Sequence, residues 1–247
     1  MLNLQSKTIY FMERMNGIIL KDMKMSELLL TNYSLILILE RFAIELGVKE
    51  KTIESICKES NVNTEVFLFI LNLHNDISYL SKASFDDLDI REIIQYLCRS
   101  HVYYTSEVFP AIIKSIHSMS TSNQKPENLM LLRFFEEYKK EVDEHFSYEN
   151  TIAFPYILSL LAPGKSTKKK NDYSVLAYKE HHDNLEEKLD DLKRLLIQYL
   201  PPQNDCVMRR KILIALFEFE KDLMVHALIE DDILIPLVET LEKQMAQ

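Results

Sequence analysis

The chain is poor in the residues that turn a backbone. Its 247 positions hold only 3 glycines and 7 prolines. A β-protein of this length needs tight turns at short intervals, and such turns draw on both residues. Their scarcity argues against a sheet-based design and for long helices. Cysteine is scarce too. Cys57, Cys98 and Cys206 stand far apart, are odd in number and form no Cys-x-x-Cys. A disulfide framework is therefore not expected, and a reducing cytoplasm fits best. The most apolar run, Leu35 to Leu39, is far too short to span a bilayer. The first residues place Lys7, Glu13 and Arg14 among short apolar stretches, with no signal-peptide core. No membrane partner is expected.

Positive charge is also in short supply. Lys and Arg number 29 against 38 Asp and Glu, a formal net charge of −9. A phosphate backbone needs a concentrated basic surface, so no nucleic-acid partner is expected. The run Lys168-Lys169-Lys170 falls in a predicted loop, 165–171, and reads as a solvated segment. There is no Gly-rich phosphate loop, no Gly-x-Ser-x-Gly elbow and no Cys/His nucleophile arrangement.

What is present is one phrase written twice. His145-Phe146-Ser147-Tyr148-Glu149 and His226-Ala227-Leu228-Ile229-Glu230 both read His-x-x-x-Glu. Each is followed by a polar residue, an apolar run and a proline ten positions after the histidine, Pro155 and Pro236. On a helix, positions i and i+4 share a face. An imidazole and a carboxylate thus point the same way from each copy, which suits a first-row transition metal. His101 precedes His145 by 44 residues, and His182 precedes His226 by the same 44. Four histidines and two glutamates are a ligand set for two metal ions. We read them as a carboxylate-bridged di-iron site inside a four-helix bundle. Manganese or zinc stays open, because such donors do not select by raw affinity.

The rest of the chain supplies the scaffold. A hydrophobic content of 47% allows a sizeable core. Residues 1–82 read as a small helical domain, with helices over Ser26 to Leu46, ending near Gly47, and over Lys51 to Glu59. A turn at 60–63 follows, then a helix over Glu65 to Asn72 with Thr64 as its cap. The last of these is apolar rather than basic, which argues against a DNA-reading helix. His74 is expected at the surface or in a cap. Residues 83–247 read as four long segments, roughly Asp87 to Met119, Glu127 to Leu161, Tyr173 to Leu200, and from beyond Asp205 to Glu242. Short connections make neighbours antiparallel, giving an all-α, up-down-up-down four-helix bundle. His101 lies 18 residues before Met119 and His145 lies 18 after Glu127. At about 1.5 Å per residue the two are level in the bundle. His182 and His226 are level within about a turn, so the ligands can meet in the middle. Of the adjacent His181 and His182, the 44-residue spacing selects His182. His182 also shares a stripe with Leu185 and Leu189. Tyr103 and Tyr104 are expected mainly as core aromatics, and His117 at the surface.

On His101, His145 with Glu149, His182, and His226 with Glu230, the second half resembles the hemerythrin-like (HHE cation-binding) domain. The whole chain resembles the repair-of-iron-centres proteins, which carry a small helical domain before that bundle. The resemblance implies a non-haem di-iron centre with Glu149 and Glu230 bridging. The fifth histidine of oxygen-carrying hemerythrins has no counterpart, which implies an open or water-filled position on iron. Arg41 to Gly47 and Thr52 to Cys57 are similar to the family's N-terminal module, with Glu45-Leu46-Gly47 where that module has adjacent cysteines. The implied function is stress-related: iron storage or delivery to damaged iron–sulfur proteins, or chemistry with O2, NO or peroxide. An O2- or NO-sensing module that signals through the N-terminal domain is the alternative. A metal-free structural bundle is a third reading.

Overall fold

The computed structural model describes residues 17–85, 88–122, 126–162, 174–180, 185–201 and 205–245. Among these the secondary structure is helical, and the sole bridge outside helices pairs Lys24 with Thr52. No helix among them is long and apolar enough to cross a membrane. The chain divides into two compact units, residues 1–96 and 97–247.

The first unit contains α1 (Met25–Thr31), α2 (Ile36–Arg41), α3 (Ile53–Ser60) and α4 (Thr64–Asn75). The single helix expected over Ser26 to Leu46 is broken. Asn32 adopts an extended conformation and its side chain accepts from the Ser34 backbone N–H at 3.2 Å. A side chain that offers the backbone a local bond competes with helix continuation. The chain resumes as α2 and stops at Arg41, before Ala43 turns to φ 56°. Gly47 is therefore not that helix's cap, although it too has positive φ. The α3 cap is Thr52, and α4 is capped by Asn63 rather than Thr64. Asn63 Oδ1 accepts from Glu65 and Val66 N–H at 3.0 and 3.2 Å. Phe42 meets Phe67 edge-on and stacks on Tyr96 in the core of this unit.

His74 is buried, contrary to its expected surface position. Its Nε2 lies 2.7 Å from the Tyr96 hydroxyl, and Arg41 Nη1 donates to the same oxygen at 2.9 Å. A guanidinium can only donate, so the Tyr96 oxygen accepts from Arg41. The pairing makes burial of all three polar groups tolerable.

Helix α5 (Ile90–Tyr103) contains the boundary between the units. The second unit continues with α6 (Phe109–Ser122), α7 (Pro126–Tyr148), α8 (Phe154–Leu160), α9 (Val175–Glu180), α10 (Leu185–Arg194), α11 (Cys206–Ile229) and α12 (Ile235–Met245). Helix α6 packs on α7, α7 on α10, α10 on α11, and α11 back on α6. This closed ring is the four-helix bundle. Leu189, Leu192 and Leu196 face Phe135, Val142, Leu216 and Phe219 across its core. Burying each such side chain contributes about 1.5–3 kcal/mol.

Among the described residues, four wide π-helical turns interrupt or end these helices, at Tyr104–Val108, Glu149–Ala153, Leu195–Tyr199 and Glu230–Leu234. Each ends on a residue whose N–H donates to the carbonyl five positions back. The donors are Phe109, Phe154, Leu200 and Ile235. Each of these residues is followed by a proline, at 110, 155, 201 and 236. Proline supplies no N–H, and its ring clashes with the carbonyl four positions back. One extra residue in the turn relieves that clash. Threonine hydroxyls in two of these turns bond back to the preceding helix: Thr105 donates to His101 O at 2.8 Å, and Thr151 donates to Ser147 O at 2.6 Å.

Candidate metal centre

Two of the wide turns begin at the glutamates of the repeated phrase. Helix α7 carries His145 in its last turn, and Glu149 opens the turn that follows. Helix α11 carries His226, and Glu230 opens the next turn in the same way. His101 arrives from α5. All five side chains are buried. His101 Nε2 lies 3.2 Å from Glu149 Oε2 and 3.1 Å from His226 Nε2. His226 Nε2 lies 3.1 Å from Glu230 Oε1, and His145 Nε2 lies 3.2 Å from Glu149 Oε1. His101, Glu149, His226 and Glu230 each offer a donor atom within 4.8 Å of the others, a group able to hold a metal ion. His145 joins them through the other oxygen of Glu149. His182, expected alongside, lies outside the described residues, as do His181 and the basic loop at 165–171.

Aromatic packing fixes the His101 ring. Phe146 stacks on it at 4.0 Å between centroids, and Phe154 lies on it at 5.8 Å. Asn150 Oδ1 stands 3.1 Å from His101 Nδ1 and also accepts from the Cys98 thiol at 3.3 Å. A carbonyl oxygen can only accept, so the His101 proton sits on Nδ1 and a lone pair on Nε2 faces the cluster. Tyr104 is buried as expected, edge-on to Phe219 and 5.8 Å from the His226 ring. His117 is exposed, as expected.

Two groups escaped the sequence reading. Asn150 is one; its signal is its place directly after Glu149. The other is Tyr178 of α9, whose buried hydroxyl donates to Glu149 Oε1 at 2.9 Å. Its signal was a place four residues before His182, on the same face of the predicted helix.

The electrostatics are those of imidazoles and carboxylates buried side by side. Burial, and then the charge of Glu149, hold the Glu230 carboxyl well above the usual carboxylate range. Burial also works to raise Glu149. Its hydrogen bond and charge interaction with His145, and then His101 and His226, outweigh burial and hold it low. Burial, and then the neighbouring His226, push His101 down to about 3. Burial, and then Glu230 and Glu149, push the Tyr178 phenol up. Among the described residues, Glu149 Oε2 and Glu230 Oε1 are buried oxygens that accept no hydrogen bond, although imidazole nitrogens stand beside both. Buried acceptors facing lone pairs are costly unless a cation lies between them. Imidazole nitrogen with carboxylate oxygen fits an iron-like ion.

Residues 109–238, more than half of the chain, match the model of the hemerythrin HHE cation binding domain. The chain belongs to this family. The match takes in His145, Glu149, His182, His226 and Glu230, and it begins after His101. Among curated proteins, this hemerythrin-family chain is 32% identical over 96 residues to the iron-sulfur cluster repair protein YtfE of Dickeya chrysanthemi. That alignment covers 39% of this chain and 41% of the relative. It is 29% identical over 106 residues to the YtfE of Edwardsiella ictaluri, covering 43% of this chain and 45% of that one. The matched region thus spans less than half the length of either relative.

Proposed function

We propose that the bundle holds two non-haem iron ions, and that the protein acts in the repair of oxidatively or nitrosatively damaged iron–sulfur centres in the cytoplasm. The observation that carries this reading is the division of Glu149. Its Oε1 faces His145 and its Oε2 faces His101, so one carboxylate serves two adjoining positions. His101, His226, Glu149 Oε2 and Glu230 would hold one ion. His145, Glu149 Oε1 and His182 would hold the other. The names of the YtfE relatives point to iron–sulfur proteins as the clients. The bound irons would supply electrons and an open coordination position to O2, NO or peroxide. The chain's own residues would orient the ligands. Phe146 and Phe154 clamp the His101 ring, and Asn150 sets its tautomer.

Metal content and the ultraviolet-visible spectrum of protein from iron-supplemented cells test the reading. Two irons per chain are expected, with a ferric charge-transfer band that Glu149→Ala abolishes. Protein that stays metal-free after anaerobic addition of ferrous iron would overturn it.

A further inference from the structure

Glu149 can span two positions only if the plane of its carboxylate is fixed. Rotation about the last bond of a glutamate is broad and roughly two-fold, so the fixing must come from a partner. On the Oε1 side Tyr178 donates at 2.9 Å from a buried hydroxyl, beside His145 Nε2 at 3.2 Å. The Tyr178 ring packs edge-on to Phe154, at 6.4 Å between centroids.

Helix α9, which presents Tyr178, is described from Val175 to Glu180, and its first turn is held from outside. Its anchor is Glu242 of α12, the helix on which α9 packs. Glu242 Oε1 accepts from the Val175 backbone N–H at 3.0 Å and from the Tyr156 hydroxyl at 2.6 Å. Val175 is the first residue of α9 and Tyr178 lies one turn further on. A continuous series of contacts therefore runs from Glu242 through α9 to Glu149.

We propose that Tyr178 is a positioning residue that fixes Glu149 as the bridging carboxylate, and that Glu242 sets Tyr178 by holding the start of α9. The proposal rests on the two-ion reading above. Without the hydroxyl, the ring still packs on Phe154, but Oε1 loses its fixed direction toward the His145 side. The Oε2 side keeps His101, His226 and Glu230. Cation binding should therefore weaken unequally at the two positions. Losing a hydrogen-bond partner of a metal ligand typically costs about 10–100-fold in metal affinity.

The test is anaerobic titration of the full chain with Co(II), followed by its d–d absorption, alongside melting of the metal-free protein. In Tyr178→Phe the first equivalent should bind as in the wild type, the second about 10–100-fold more weakly. Glu242→Ala should weaken the second equivalent in the same direction. Glu242→Gln keeps an oxygen that accepts from Val175 and Tyr156, and should restore it. Two wild-type equivalents in Tyr178→Phe would overturn the proposal. So would equal weakening of both equivalents together with a lower melting temperature of the metal-free protein, since that marks a merely structural role. A wild type that takes up no cobalt would instead overturn the metal reading itself.

Discussion

Asn150 Oδ1 lies 3.1 Å from His101 Nδ1, and this pair decides which way the imidazole offers its lone pair. With the proton held on Nδ1, Nε2 keeps its lone pair on the side of Glu149 and His226, where it can bind a cation. Asn150→Ala removes the acceptor and lets the ring change tautomer. Metal affinity on the His101 side should fall about 10–100-fold. Asn150→Asp keeps an acceptor and adds charge, so it should bind at least as well as the wild type. Co(II) titration of both variants checks this. Equal affinities for Asn150→Ala and the wild type would remove Asn150 from the account.

The repeated phrase was legible because chemistry and spacing coincided: an i, i+4 pair, a proline at a constant offset, and a histidine at a constant distance. The structure brings His101, His145, Glu149, His226 and Glu230 together in the bundle core. What those prolines do to the backbone was not legible. One extra residue in a turn shifts the apolar pattern by less than the uncertainty of a helix end read from sequence. The constant offset to Pro155 and Pro236 has a consequence that spacing alone does not reveal, a wide turn opening at each glutamate. His74 failed for a different reason. Its partner Tyr96 is 22 residues away, and no local pattern announces a bond of that range. Asn32 failed because the apolar spacing runs through it, while its side chain offers Ser34 a better local bond.

Glu230 separates stability from metal binding. Its carboxyl is buried beside Glu149, with burial and that neighbouring charge both favouring the neutral form. Glu230→Gln exchanges it for a neutral group of the same shape. The metal-free protein should melt at the same temperature as the wild type or higher, because burial and Glu149 already hold the carboxyl in its neutral form. The loaded protein should behave in the opposite way. A metal at 100 times its dissociation constant adds about 2.7 kcal/mol to the wild type, and most of that gain should be absent in the variant. Thermal melts with and without Co(II) measure both halves. An equal metal-dependent gain in variant and wild type would show that Glu230 is not a ligand.

Cys57 gives the first unit a pH signature independent of the metal centre. The residue is fully buried on α3, and burial pushes its thiol up to about 11 from an ordinary value near 9. The folded state therefore keeps the proton over an interval in which the unfolded chain has lost it. The unfolded state binds fewer protons there, so stability falls as pH rises. The contribution is complete below about pH 9 and is lost as pH climbs through about 11. Urea unfolding between pH 8 and pH 11 should show this decline in the wild type and a shallower one in Cys57→Ala. The same burial governs reactivity, since the thiolate is the reactive form. In folded protein at pH 8, a thiol reagent should label the exposed Cys206 quickly and leave Cys57 untouched until urea is added. Rapid labelling of Cys57 in the folded chain would mean that the packing around α3 opens far more readily than its burial implies.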